Sequence, residues 1–189
     1  MLKKDARNLY KSKRLRLSAQ EKTKMDDLLL IHFQKLPLSF ISVLFSFQSL
    51  LELNEIDPLA IARFLQFQNP GLLIAYPKIY FADSAMQAIV CNDESIFEKN
   101  HFGIAEPVSD DEIDPKQIDI VLLPLLAFDE KGFRVGYGKG FYDAYLKQCR
   151  DGCIKVGLSY FEPVPLIEDA NDFDVPLNYC ITPQKVYVF

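Results

Sequence analysis

The chain has 189 residues, 49% of them hydrophobic and 25% charged, with a net charge of -5, a balance that excludes a disordered or fibrous protein and leaves room for a sizeable core. The opening MLKKDARNLY lacks an apolar targeting core and no apolar run reaches the length of a membrane span, so a cytoplasmic protein with no membrane partner is expected. Charge is uneven: the seven basic residues Lys3, Lys4, Arg7, Lys11, Lys13, Arg14 and Arg16 face only Asp5, so this stretch carries +6 and the rest -11.

Residues 2–16 and 19–35 read as two helices, with Ser18 and Glu21 in capping-box spacing and Pro37 marking the stop. FISVLFS (40–46) has strand length and β-branched, aromatic character. Asp57 and Pro58 then stand as N-cap and first residue of a helix, LAIARFLQF, that ends at Asn69-Pro70-Gly71. GLLIAYP (71–77) and AMQAIVC (85–91) are further strands, and the acidic SDDEIDP is a solvated loop. IDIVLLPLLAF (118–128) is apolar enough to be covered on both faces. A helix from Tyr142 to Arg150, closed by Gly152, is expected, and Cys149 and Cys153 have the i, i+4 spacing of one helical turn. Partly buried thiols are a better reading of that pair than a zinc site, and Cys91 and Cys180 are also read as free thiols. KVGLSYF (155–161), YCIT and KVYVF supply the last strands. Alternating strands and helices predict the α/β class: a single domain, residues 1–189, in three α/β/α layers around a mainly parallel sheet.

Between the strongest strand and its following helix lies RVGYGKGFYD (134–143). It fails the Walker pattern, since Gly140 follows Lys139, and it fails G-x-G-x-x-G because the third glycine comes one residue early. Its chemistry still favours an anion site over a plain glycine-rich turn: Gly136, Gly138 and Gly140 open the backbone, a helix begins at once, and Arg134 and Lys139 add charge. Asp143 repels phosphate, so it is either a cap for the helix dipole or a magnesium ligand bridging to phosphate. The basic N-terminus can be a clamp for a small polyanion, a solvated helix face or a nucleic-acid arm, and the acidic body disfavours the last.

The run IDIVLLPLLAFDEKGFRVGYGKGFYDAYL, Ile118 to Leu146, closely resembles the signature of 5-formyltetrahydrofolate cyclo-ligases. Lys3-x-x-x-Arg7, Glu55-Ile56-Asp57-Pro58 and the segment from Asp174 to Thr182 agree with it in order. The resemblance implies a single α/β/α domain that uses ATP and magnesium to convert 5-formyltetrahydrofolate to 5,10-methenyltetrahydrofolate, releasing ADP and phosphate. It further implies that Lys3, Arg7 and the run Arg134, Val135, Gly136, Tyr137, Gly138, Lys139, Gly140, Phe141 and Tyr142 bind ATP, with Arg134 and Lys139 supporting catalysis. Glu55, Met86 and residues Tyr137 to Phe141 would meet the folate, with Tyr76 and Pro77 as further lining. Asp143 and Asp174 would hold magnesium.

The chain departs from the family pattern at Phe173, where relatives commonly carry His, and at Asn178, where Asp is common. Longer stretches around LIEDANDF and QSLLELNE leave Asp169 or Asp172 as alternatives to Asp174, and Glu52 as an alternative to Glu55. Small-molecule substrates, no nucleic acid and a monomer are expected. A non-catalytic folate- or nucleotide-binding module and a nucleic-acid-binding protein are the competing readings.

Overall fold

The computed structural model describes residues 1–81, 85–101 and 103–189. In chain order the elements are α1 (Lys3–Leu15), α2 (Ala19–Phe33), β1 (Val43–Phe45), α3 (Leu59–Gln68), β2 (Leu73–Tyr80), β3 (Ala85–Cys91), β4 (Phe97–Lys99), β5 (Ala105–Pro107), β6 (Ile120–Pro124), β7 (Ala127–Phe128), β8 (Arg134–Val135), α4 (Phe141–Leu146), β9 (Ile154–Leu158), β10 (Tyr179–Ile181) and β11 (Val186–Val188), with short 3-10 turns at Leu51–Leu53 and Pro115–Gln117. Seven strands form the central sheet in the order β11-β10-β9-β6-β1-β2-β3. The four inner pairings are parallel, while β3 and β11 close the edges antiparallel. The mainly parallel α/β fold expected from the sequence is the one observed.

Period-two alternation assigns the faces of the sheet. Leu44, Ile74, Ile120, Leu122 and Val156 pack with Leu29 and Phe33 of α2 and with Ile61 and Leu65 of α3. Their neighbours Val43, Phe45, Ala75, Val121 and Leu123 face the other way, against Tyr145 and Leu146 of α4. The capping box forms as read: Ser18 accepts from the Glu21 amide, and the Glu21 carboxylate accepts from the Ser18 amide. At α3 the cap moves by one residue. Asp57 Oδ1 accepts from the Leu59 amide at 3.0 Å, and Pro58 occupies the N-cap position.

Two further expectations are corrected. The apolar run 118–128 is not one strand: β6 stops at Pro124, and Ala127 and Phe128 form a hairpin with Arg134 and Val135. Pro124 supplies no ladder donor beyond that point. The glycine-rich run also leads to a shorter helix than predicted. α4 ends at Leu146, so Gly152 is not its closing residue and Cys149 and Cys153 lie beyond it.

α1 belongs to neither covering layer. Ala6 and Tyr10 pack on Leu126, Ala127, Val135, Val164 and Ile167, which sets the helix across the carboxyl end of the sheet beside the β7–β8 hairpin. There β1 leads through α3 to β2 on one side, whereas β6 leads through α4 to β9 and β10 on the other. Adjacent parallel strands whose connections diverge leave a crevice at their carboxyl ends, the usual ligand position in open α/β sheets.

Candidate active site

A cavity of about 480 Å³ occupies that crevice, within the usual range for small-molecule sites. Phe47 and Gln48 enter it just after β1 and Pro124 at the end of β6, while Lys3 and Arg7 reach it from α1. Lys3, Arg7 and Arg14 stand on one stripe of α1, because residues spaced four, then seven apart return to the same face. They alone of the seven basic residues in this stretch turn inward: Lys4, Lys11, Lys13 and Arg16 are exposed.

One end of the cavity is charged. Lys3 Nζ lies 2.7 and 2.6 Å from the two Asp174 oxygens, with both side chains mostly buried. Arg134, 8% exposed, donates to the Val175 carbonyl and, at 2.8 Å, to Asp143 Oδ1, which also accepts from the Val175 amide at 3.0 Å. This interlock brings the chain around Asp174 against the glycine-rich run. Burial pulls the Arg134 guanidinium below its ordinary value, against the raising pull of Asp143 and Asp174. Among the described residues no cluster of three or more His, Cys, Asp or Glu has metal-site geometry.

The glycines are used differently from one another. Gly138 has φ +90, and a Cβ there would meet the Arg7 guanidinium carbon at 3.0 Å; Arg7 Nε in turn donates to the Gly136 carbonyl at 2.9 Å. Gly140, φ +75, is the left-handed N-cap of α4. Because α4 has only six residues, positive potential at this end comes chiefly from the basic side chains and little from a helix dipole.

The other end is apolar and aromatic, formed by Leu50, Leu53, Pro77, Ile79, Phe81, Met86, Ile104 and Phe141. One carboxylate stands in it. Glu55, 3% exposed, accepts at Oε1 from the Tyr137 hydroxyl at 2.8 Å and at Oε2 from the Leu50 amide at 2.9 Å. Burial pushes its carboxyl above the ordinary value, and the Leu50 amide, Arg14 and Tyr137 oppose that rise. Each oxygen is thus occupied on one side only, which leaves the pair able to accept from two adjacent N–H donors.

The structure gathers Lys3, Arg7, Glu55, Met86, Arg134, Gly136, Tyr137, Gly138, Lys139, Gly140, Phe141, Tyr142, Asp143 and Asp174 around the cavity. Val135 is not among them. Strand alternation turns it 1% exposed into the packing beneath α1. Tyr76 is excluded for the same reason: it sits on the α2/α3 side of β2, edge-on to Phe97, while Pro77 and Ile79 face the cavity. Glu52 is exposed, 3.8 Å from Lys99, and does not line the cavity. Asp169 accepts from the Lys3 amide at the start of α1, and Asp172 is exposed. Of the open acidic alternatives, Glu55 and Asp174 are the ones positioned at the site. The two departures from the expected pattern lie off the cavity: Asn178 bonds the Lys155 backbone, and Phe173 lies under Lys147 Nζ at 4.8 Å.

Sequence reading missed Arg14 as a site-supporting group, because a basic residue in a basic helix carries no mark of burial. Among the described residues no helix is long and apolar enough to cross a membrane.

The model of the 5-formyltetrahydrofolate cyclo-ligase family matches residues 2–183. A 5-formyltetrahydrofolate cyclo-ligase of Haemophilus influenzae is 32% identical over 145 residues, 72% of each chain. One of Mycoplasma genitalium is 37% identical over 73 residues, 38% of this chain and 44% of the relative, so the chain aligns to under half of that relative's length. The solved Aquifex aeolicus 5,10-methenyltetrahydrofolate synthetase superposes with a TM-score of 0.79 at 26% identity, covering 100% of this chain and 93% of that one.

Proposed function

The chain belongs to the 5-formyltetrahydrofolate cyclo-ligase family, and on that premise we propose that it is an enzyme converting 5-formyltetrahydrofolate and ATP into 5,10-methenyltetrahydrofolate, ADP and phosphate. One observation carries the reading: a single crevice joins a charged end, suited to a triphosphate, to an aromatic end containing a buried carboxylate, suited to a pterin. A site for a triphosphate alone would need neither Glu55 nor the apolar wall.

The chemistry requires both ligands together. An N5-formyl carbonyl is amide-like and weakly electrophilic, and closing the ring requires loss of its oxygen. The formyl oxygen attacks the γ-phosphorus and ADP departs. N10 then adds to the activated carbon, its proton leaves with the phosphate, and breaking of the C–O bond completes the methenyl bridge. No protein nucleophile is needed. The chain contributes alignment of the formyl oxygen with phosphorus and stabilisation of the transferring charge.

In this reading Lys3, Arg7 and Lys139 take phosphate oxygens, Arg134 holds Asp143 in place and adds positive potential, and Glu55 accepts from the pterin amino and ring N–H groups. Tyr137, Phe141, Met86 and Pro77 enclose the ring. Asp143 and Asp174 are the carboxylates that would hold a hard cation at the charged end: Asp143 Oδ1 takes the Arg134 and Val175 bonds, leaving Oδ2 for coordination, and Asp174 would exchange its two Lys3 contacts for the ion as Lys3 turns to phosphate. Bound there with ATP, magnesium would neutralise charge building on the phosphates. Purified chain mixed with 5-formyltetrahydrofolate, ATP and magnesium is expected to generate the methenyl chromophore. No product, beside an active control enzyme, would refute the assignment.

A further inference from the structure

Arg14 is 3% exposed, does not line the cavity, and ties together three segments far apart in sequence. Its Nε donates to the Leu53 carbonyl at 2.8 Å, one terminal nitrogen donates to the Tyr137 hydroxyl, and the other lies 3.7 Å from Glu55 Oε1. A buried guanidinium is costly unless such partners offset its lost hydration. The same turn is fastened a second time: Asn54, in the left-handed region at φ 50, donates from Nδ2 to the Arg14 and Leu17 carbonyls. Glu55 follows directly.

The donor pattern determines where a proton points. A tyrosine hydroxyl carries one proton; Arg14 donates to the Tyr137 oxygen, so that proton is committed to Glu55 Oε1. The carboxylate is therefore held as an acceptor in the cavity wall. Lysine could supply charge at this place, but lacks the planar fork that reaches a carbonyl, a hydroxyl and a carboxylate together.

We propose that Arg14 is a positioning residue for the folate substrate, orienting Glu55 and Tyr137 without touching the ligand. The proposal rests on the reading that Glu55 meets the pterin. Among the described residues, the titratable groups acting on Glu55 are Arg14 from α1, Tyr137 from the glycine-rich run and, electrostatically, Tyr142 of α4. Loss of Arg14 removes the only cation of the set.

The test compares Arg14→Met, Arg14→Lys and Glu55→Gln with the unaltered enzyme, measuring KM for each substrate and the pH profile of kcat/KM for folate. Arg14→Met is expected to raise the folate KM roughly ten- to a hundredfold, the usual worth of hydrogen bonds to charged groups, with the ATP KM within about twofold. Its acid limb should move to higher pH, and Arg14→Lys should restore the limb but not the KM. A folate KM unchanged in either variant, or both KM values rising in parallel as from general loosening, overturns the proposal. If Arg14→Met does not melt cooperatively, Arg14→Lys decides alone. Failure of the unaltered enzyme to turn over defeats the parent assignment. Normal turnover with a defect in Glu55→Gln and none in the Arg14 variants defeats only the role of Arg14.

Discussion

At each end of the crevice a lining carboxylate is paired with a buried arginine, and the two pairs are built differently. At the charged end Arg134 bonds Asp143 directly at 2.8 Å, and Asp143 keeps 26% of its side chain exposed. At the aromatic end Arg14 stands 3.7 Å from Glu55, with both side chains 4% exposed, and the Tyr137 hydroxyl bridges them. A partly exposed carboxylate can exchange partners as ligands arrive, as a magnesium site requires. A buried one braced through a third group is a fixed acceptor, as recognition of a rigid ring requires. On the proposed assignment, one motif, arginine with acid, would serve both binding that must rearrange and binding that must not.

The largest effect that would break this contrast is expected at Asp143. Asp143→Asn should lower kcat on the order of a thousandfold through weaker transition-state charge stabilisation, with folate binding retained. Asp143→Ala should add a stability loss, below the ~3–5 kcal/mol typical of a fully buried broken pair because Asp143 is partly exposed; turnover and thermal melting separate the two. Near-normal activity in both variants would remove Asp143 from the proposed metal site.

Glu55→Gln is the next test. It should raise the folate KM roughly ten- to a hundredfold with little change for ATP. Because burial raises the Glu55 carboxyl, folate affinity should weaken as pH falls through that raised value, whereas binding of ATP alone should show no such limb. The linked effect on stability has the opposite direction. Between the ordinary carboxylate value and the raised one the folded chain keeps a proton that the unfolded chain has released, so stability falls as pH rises across this window. A Glu55→Gln variant should lose that slope. The smallest effect is expected at Glu52, three residues away and exposed: Glu52→Gln should change stability by less than about 0.5 kcal/mol and leave both KM values unaltered. A folate defect there would reverse the choice between the two acids.

Much of this was legible from residues in order. The capping box at Ser18 and Glu21, the buried strands and the glycine-rich turn are local patterns, and local propensity suffices to read them. The family resemblance nominated Lys3, Arg7, Glu55, Asp143 and Asp174, all of which the fold gathers around one cavity. What failed was facing. Val135 sits inside the signature yet points beneath α1, and Tyr76 precedes a cavity residue yet lies on the opposite side of the sheet, because a strand reverses direction at every residue. The run 118–128 breaks at Pro124, although its hydrophobicity is continuous, since an apolar stretch does not say which strand partner it meets.

By itself, then, the sequence determined the fold class, the glycine positions and the residue types that the proposed triphosphate and metal would demand, because these depend on backbone freedom and charge at short range. Only the tertiary structure decided which three basic side chains of α1 turn inward, which of Glu52 and Glu55 is buried, and which of Asp169, Asp172 and Asp174 reaches the crevice. Those choices depend on where the carboxyl ends of β1 and β6 diverge and on how α1 lies across them, contacts between segments more than a hundred residues apart.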